Sequence, residues 1–452
     1  MRSNDIHKLA DEARFNGFHA RVLAWCFIIL IVDGYDLAIA GVALPSIMKT
    51  MGVNATTAGF MASSALFGMM VGAIGLGMLA DRFGRRPALA ISILLFSVFT
   101  AATGFTSDPV SFSAMRFLAG IGIGGAIPSL AAQMSEYAPG KVRSVMVTLM
   151  GCGYAVGSIV ATLLGKQFLE VYGWQSVFIA AGMPVVLVPL VLKFMPESLS
   201  YLARQGNIAE LGQIASRIEP GVHFEPRQHS EAEATTTAAD ASVGRLFRDG
   251  RGFSTLMLWV ACFMGLFMTY ALSTWLVKLM ALAGYSLGSA LNFLLAFNAG
   301  AIAGALGGGW LGDRFHIKWV LFIFYAMSAV SLTLLGYGVT PMSLVVALVG
   351  ASTLGTQILC YAYAGQFYPA AIRTTGIGFA SGIGRTGAIL APVVIGVLVT
   401  IKLPLELNFV AIAAAGAVGA MAVACVNHRV SASAPRTAQT FAARVSTEGA
   451  ES

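Results

Sequence analysis

Residues 33 to 36 read DGYD, two carboxylates one helical turn apart inside the apolar run FIILIVDGYDLAIAGVALPSI (27–47). Positions i and i+3 share a helix face, so Asp33 and Asp36 point the same way, roughly 17 to 21 Å along a helix that rises 1.5 Å per residue. An ionised Asp at the centre of a bilayer costs about 2.5 to 3.5 kcal/mol, so it faces a cavity or a partner. Burial and a neighbouring like charge both favour the neutral acid. The chemistry this allows is reversible proton binding by Asp33 or Asp36; the alternative is that one of them forms a structural ion pair.

Two arginines also fall in apolar surroundings, Arg116 in RFLAGIGIGG (116–125) and Arg385 in GIGRTGAIL (382–390). The apolar segment around Arg385 contains no acid. A buried cation without a fixed partner should meet an anion that comes and goes, and guanidinium grips a carboxylate through two parallel hydrogen bonds. Arg385 is therefore the first candidate for an anionic substrate, or else it pairs with an acid such as Asp33. Arg116 is the second, with pairing to an aspartate of the first span as its alternative. Tyr270, Tyr361, Asn298 and Gln357 could line an apolar slot with a few polar groups for a ring, although aromatic side chains in such segments also serve helix packing.

These residues must be held by membrane helices. Of the 452 residues 57% are hydrophobic and 11% charged, where a soluble domain carries about 25% charged; mean hydropathy is +0.77. A helix needs roughly 20 apolar residues to cross the hydrocarbon core. Twelve segments qualify, at 22–46, 57–80, 87–106, 109–134, 144–169, 174–195, 254–280, 286–311, 317–337, 341–366, 374–400 and 404–427. The first is too long for a signal-peptide core and carries two acids, so it is expected to stay as a span. Between the two sets of six lies 196–253, whose stretch HSEAEATTTAADAS (229–242) is too polar to bury a core and reads as a linker. A short helix near 207–218 is expected on the membrane surface, and 429–452 as a disordered tail. The expected domains are thus 1–195, the linker 196–253, 254–428 and the tail.

Apart from Lys49, Lys166, Lys278, Lys402, Arg116 and Arg385, the basic residues fall on the side that holds the termini, which the positive-inside rule places in the cytoplasm. The pI near 9.2 follows from that bias, and no nucleic-acid partner is implied. The halves repeat. GMLADRFGRR (77–86) is echoed by GWLGDRFHIK (309–318) at an offset of 232, and EYAPGKVR (136–143) by QFYPAAIR (366–373) at 230. Two motifs at nearly one offset imply parallel six-helix halves, the arrangement of alternating-access transporters.

GMLADRFGRR resembles the loop signature of the major facilitator superfamily, and RFLAGIGIGG its span-4 motif. PESLSYL (196–202) is similar to an ending shared by sugar and organic-ion porters. DGYD in span 1 resembles the narrower aromatic acid/proton symporter branch, which imports benzoate, hydroxybenzoates, protocatechuate and related ring carboxylates. The resemblance implies an all-α membrane protein of twelve helices in two pseudo-symmetric halves, and dependence on charged positions matching Asp33, Asp36, Arg116, Glu136, His316, Arg373 and Arg385. Glu136 joins Asp33 and Asp36 as an acid for proton coupling. Asp81, Arg85, Arg86 and Arg143, with Asp313, Arg314, His316 and Arg373 in the second half, would form a gate in which charges bind helix ends. Ser158 stands where antiporters carry Pro after a Gly-x-x-x motif, against an efflux role.

The partners implied are a small aromatic carboxylate, protons and the lipid bilayer of the cell (inner) membrane, with a monomer sufficient. A proton-coupled sugar or polyol symporter, or a carrier of another organic anion, is the alternative. All six histidines lie outside the spans and no HExxH, GxSxG or P-loop occurs, so neither an enzyme nor a cofactor or metal is expected. The five cysteines stand singly in apolar surroundings, without a disulfide or metal spacing.

Overall fold

The structure, a computed structural model, describes residues 2–3, 6–219, 223–224, 243–248, 250–369, 372–428 and 431. The linker stretch 229–242 and, except for Ser431, the tail beyond His428 lie outside the described residues.

All twelve expected segments are helices long and apolar enough to cross a membrane. Spans 1 to 6 are Gly17–Met51, Ala55–Phe83, Arg85–Thr103, Pro109–Tyr137, Arg143–Tyr172 and Trp174–Phe194. Spans 7 to 12 are Gly252–Leu282, Leu287–Arg314, Ile317–Gly336, Met342–Phe367, Arg373–Thr400 and Leu405–Cys425. Several run beyond the apolar ruler because polar residues cap them. Asn16 starts span 1 five residues early by accepting from the amides of Phe18 (2.9 Å) and His19 (3.3 Å), and Asp108 caps span 4 ahead of Pro109. The short helix expected near 207–218 is Ile208–Ile218, capped by Asn207. It follows helix Leu199–Gln205, packs against helix Ile6–Glu12, and buries Leu211, Ile214, Ala215 and Ile218.

The chain forms two compact units. The first comprises 1–229 with 273–298 and 392–401. Within it a Cβ on Gly34 of span 1 would sit 2.1 Å from the Tyr154 carbonyl oxygen of span 5, and one on Gly157 would sit 2.0 Å from that of Ile31. Glycine is what lets these two backbones touch. The segments 273–298 and 392–401 join this unit by the same device: Cβ atoms on Gly41 and Gly59 would lie 2.0 and 2.4 Å from the carbonyl oxygens of Ser273 and Pro392. Thr56 and Thr400 share a hydroxyl hydrogen bond of 2.8 Å there, Lys166 donates to Asn292 at 3.0 Å, and the buried Trp275 indole donates to the Pro392 carbonyl at 2.9 Å.

The second unit comprises 230–272, 299–391 and 402–452. Spans 9 and 12 meet where Gly419 faces the Tyr325 ring, whose hydroxyl donates to the Ala261 carbonyl of span 7. Span 11 lies close to span 7 at Gly384 and Gly387, beside the carbonyl oxygens of Cys262 and Phe263.

The internal repeat is visible in the packing of each unit taken alone. In the first, Gly68 and Gly72 of span 2 fit under the carbonyls of Phe117 and Ile121 of span 4; in the second, Gly300 and Gly304 of span 8 fit under those of Ala347 and Ala351 of span 10. The glycines are 232 residues apart and their carbonyl partners 230, the same offsets as the loop motifs.

Candidate functional site

Asp33 and Asp36 are both buried, at 0% and 1% exposure, on an unbroken span 1. Arg116 of span 4 meets Asp36, with Nη1 3.0 Å from Oδ1 and each side chain 1% exposed. The same Nη1 donates to the Thr100 hydroxyl of span 3 at 3.2 Å, and Nη2 donates to the Asp36 main-chain carbonyl at 3.2 Å. The guanidinium carbon lies 5.8 Å from the centre of the Phe178 ring, within cation–π range. The Tyr35 hydroxyl donates to the Val177 carbonyl at 2.8 Å, fixing span 1 against span 6. A desolvated pair of this kind holds together because each charge would otherwise be stranded.

Arg385 is half-buried on span 11 in the second unit. Among the described residues its side chain has no hydrogen-bond or ion-pair partner; the Tyr361 hydroxyl of span 10 lies beside Ser381 and within electrostatic reach of Arg385. Tyr270 and Gln357 are half-buried in the same unit. Asn298, buried in the first unit, donates to the Leu294 carbonyl of its own helix at 2.9 Å.

Glu136 lies at the end of span 4. Its carboxylate accepts from the Ser198 hydroxyl and Leu199 amide, both at 2.9 Å, and from the Ser200 hydroxyl at 2.7 Å, and it forms an ion pair with Arg85 Nη1 at 2.8 Å. It thereby caps helix Leu199–Gln205. Beside it Glu197 of the PESLSYL stretch accepts from the amides of Arg85 (2.7 Å), Arg86 (3.2 Å) and Ser198 (2.8 Å), capping span 3. Gly84, at φ +99°, leaves the space this carboxylate fills, since a Cβ there would sit 2.5 Å from Glu197 Oε2. Arg143 binds Asp11 at 2.7 Å. A cavity of about 520 Å³ opens between Lys8, Asp11, Ser135, Glu136, Arg143 and Ser200. Asp81 takes part through its carbonyl, which accepts from Arg204 at 2.7 Å.

The matching residues of the second unit are more open. Asp313, Arg314, His316 and Arg373 are exposed, and the Arg314 guanidinium covers the Trp310 ring at 5.5 Å. Arg373 Nε donates to the carbonyl five residues before it, Tyr368, at 3.4 Å, as Arg143 Nε does to Ala138 at 3.3 Å. The His316 and His428 rings meet edge to face at 4.4 Å, and His428 Nδ1 lies 3.4 Å from the Tyr363 hydroxyl. Burial, and then the charges of His316 and Lys318, hold the His428 imidazole below its ordinary value of 6.5.

The sequence reading missed Thr100, Glu197 and His428. Only Glu197 left a usable signal, an acid directly after the Pro that ends span 6.

A family model described as Major Facilitator Superfamily matches residues 26–308. The chain is 40% identical over 436 residues to a benzoate transport protein of Acinetobacter baylyi, covering 95% of this chain and 94% of that one. It is 35% identical to a 4-hydroxybenzoate transporter of the same organism (86% of each chain) and 32% identical to a gallate transporter of Pseudomonas putida (94% of this chain, 95% of that one). Among solved structures it resembles the inward open xylose transporter of E. coli, with TM-score 0.70 and 16% identity over 90% of this chain and 96% of that one. It also resembles a bacterial homologue of the human lysosomal transporter Spinster, with TM-score 0.68 and 18% identity over 91% and 98%. At such identities the likeness speaks to the fold alone.

Proposed function

The chain belongs to the major facilitator superfamily, in its aromatic acid transporter branch, and from that premise we propose that it imports a benzoate-, hydroxybenzoate- or protocatechuate-class carboxylate together with protons, by alternating access. The observation that carries this reading is Arg385, a half-buried cation on an acid-free membrane helix, with no ion-pair partner among the described residues. Such a guanidinium suits a carboxylate by two parallel hydrogen bonds. Arg116 is already committed to Asp36, so Arg385 is the better seat for the substrate, with Tyr361, Tyr270 and Gln357 of the same unit as candidates to line the ring slot.

Import of an anion into a cell that is negative inside works against about 2.3 kcal/mol per charge per 100 mV. One accompanying proton removes that cost, and Asp33 and Asp36 are the groups we assign to it. Glu136, already met by three hydrogen-bond donors and the Arg85 guanidinium, we assign to the gate with Arg85, Arg86, Asp81 and Arg143, and in the second half Asp313, Arg314, His316 and Arg373. Both termini are cytoplasmic in this reading and the membrane is the inner one. The halves 1–195 and 254–428 move against each other about the linker 196–253, so the contacts of Gly41 with Ser273 and of Gly59 with Pro392 part when the site opens outward.

Uptake of labelled benzoate and 4-hydroxybenzoate by expressing cells tests this. Uptake should rise in acid medium, collapse with a protonophore, and be lost in Asp33→Asn and Arg385→Ala. Retained uptake in Arg385→Ala would remove the carboxylate assignment.

A further inference from the structure

Helix Ile6–Glu12 is too short to hold itself in water, and its packing keeps it folded. Ile6, Leu9 and Ala10, with Ala13 just beyond, are buried, the i, i+3, i+4, i+7 spacing of one apolar helix face. The helix packs against helix Ile208–Ile218. After it, the Asn16 side-chain amide donates to the Arg217 and Ile218 carbonyls at 3.1 and 2.8 Å, satisfying the end of that second helix.

Helix Ile6–Glu12 also grips the turn between spans 4 and 5. The Asp11 main-chain carbonyl accepts from the Gly140 amide at 2.9 Å, and its carboxylate accepts from Arg143 Nη2 at 2.7 Å. Glycine permits this approach, since a Cβ on Gly140 would sit 2.7 Å from Asp11 Oδ1. Arg143 opens span 5, where the macrodipole disfavours a cation, and Asp11 supplies the opposing charge. The second half has no such arrangement. Position 370, which matches Gly140 at the offset of 230, is alanine. Arg373, which opens span 11, donates to the Tyr368 carbonyl and meets no acid among the described residues.

The cavity of about 520 Å³ lies behind this contact, with Lys8 and Asp11 on one side and Ser135, Glu136, Arg143 and Ser200 on the other. The Asp11 and Arg143 side chains are 52% and 39% exposed, whereas those of Glu136 and Arg85 are 12% and 15% exposed. Ion pairs as wet as the first are weak, so the contact can part without unfolding the unit; the second pair is shielded behind it. We propose that helix Ile6–Glu12 is a lid over the Glu136–Arg85 ion pair, latched by Asp11 to Gly140 and Arg143, and that its opening admits water to Glu136. The lid belongs to the first half alone and is independent of which solute is carried.

The test is thiol labelling of the full-length purified protein by a neutral maleimide, followed peptide by peptide by mass spectrometry. Ser200→Cys places a reporter in the cavity wall. Among the native cysteines Cys425 alone is exposed, and it serves as the internal standard in the second unit. In this background Asp11→Ala should speed labelling at position 200 about fivefold, the shift that losing one half-exposed ion pair allows, with Cys425 unchanged. Gly140→Ala should act in the same direction by displacing the Asp11 carboxylate, and it leaves every charge in place, which separates opening from a change in local field. Glu12→Gln removes a carboxylate of the same helix that pairs with Lys8 at 3.8 Å, and should label like the background protein. Equal rates at position 200 in all variants overturn the inference. So does acceleration in Asp11→Ala but not Gly140→Ala, or acceleration at Cys425 as well, which would mean general loosening. No substrate is needed, so a protein that takes up no aromatic acid would lose the transport reading and keep the lid.

Discussion

Arg116 Nη1 lies 3.0 Å from Asp36 Oδ1, and neither side chain is more than 1% exposed. Removing one member of a buried pair strands the other, at a typical cost of about 3 to 5 kcal/mol. Arg116→Ala should therefore lower the thermal stability of the purified protein sharply. The double variant Arg116→Ala/Asp36→Ala should lose less than the two single losses added together, since no charge is left behind. Additive losses in a denaturation series would show that the two residues do not act as a pair.

Span 1 and span 5 touch through glycine. Gly34→Ala puts a methyl 2.1 Å from a main-chain oxygen, which backbone must move to accommodate, and overpacking of this kind costs about 1 to 3 kcal/mol. Gly17→Ala, with nothing within 4 Å, is the control. Less folded protein and slower uptake are expected for the first variant only, read by size-exclusion yield and initial rate.

Thr56 and Thr400 share a hydroxyl hydrogen bond of 2.8 Å. If the contact must part in each transport cycle, a disulfide between Thr56→Cys and Thr400→Cys should stop uptake, and a reductant should restore it. Full uptake in the demonstrably oxidised pair would argue against an opening at this point.

The His428 imidazole titrates below 6.5 in the fold, because of burial and its cationic neighbours. Between its folded value and 6.5 the unfolded chain binds more protons, so its contribution to stability is present above that window and lost as pH falls through it. Hydrogen exchange at 317–320 and 425–428 should accelerate in mild acid. His428→Gln should flatten that dependence; an unchanged slope would assign it elsewhere.

The spans were legible because apolar length is a property of sequence alone. The repeat was legible because the offset of 232 that joins the two loop motifs also joins Gly68 to Gly300. Which aspartate Arg116 meets was not, because Asp33 and Asp36 share a face and the choice turns on how span 4 is rotated and seated against span 1. Thr100 is one threonine among many until Arg116 is seen to donate to its hydroxyl. Glu197 caps a helix that starts 112 residues earlier, a pairing no local pattern announces. The boundaries of the compact units escaped for the same reason, since the contacts of Ser273 and Pro392 with span 1 and span 2 glycines depend on backbone approach.

The most direct test of proton-coupled carboxylate import is a flux measurement in liposomes containing only this protein, with a pH-sensitive dye inside and no imposed pH gradient. Adding benzoate or 4-hydroxybenzoate outside should acidify the lumen in step with uptake of the labelled acid, with neither signal in Arg385→Ala and no coupled acidification in Asp33→Asn, once passive entry into protein-free liposomes is subtracted. Uptake of the acid without a matching proton signal above that background would contradict the account.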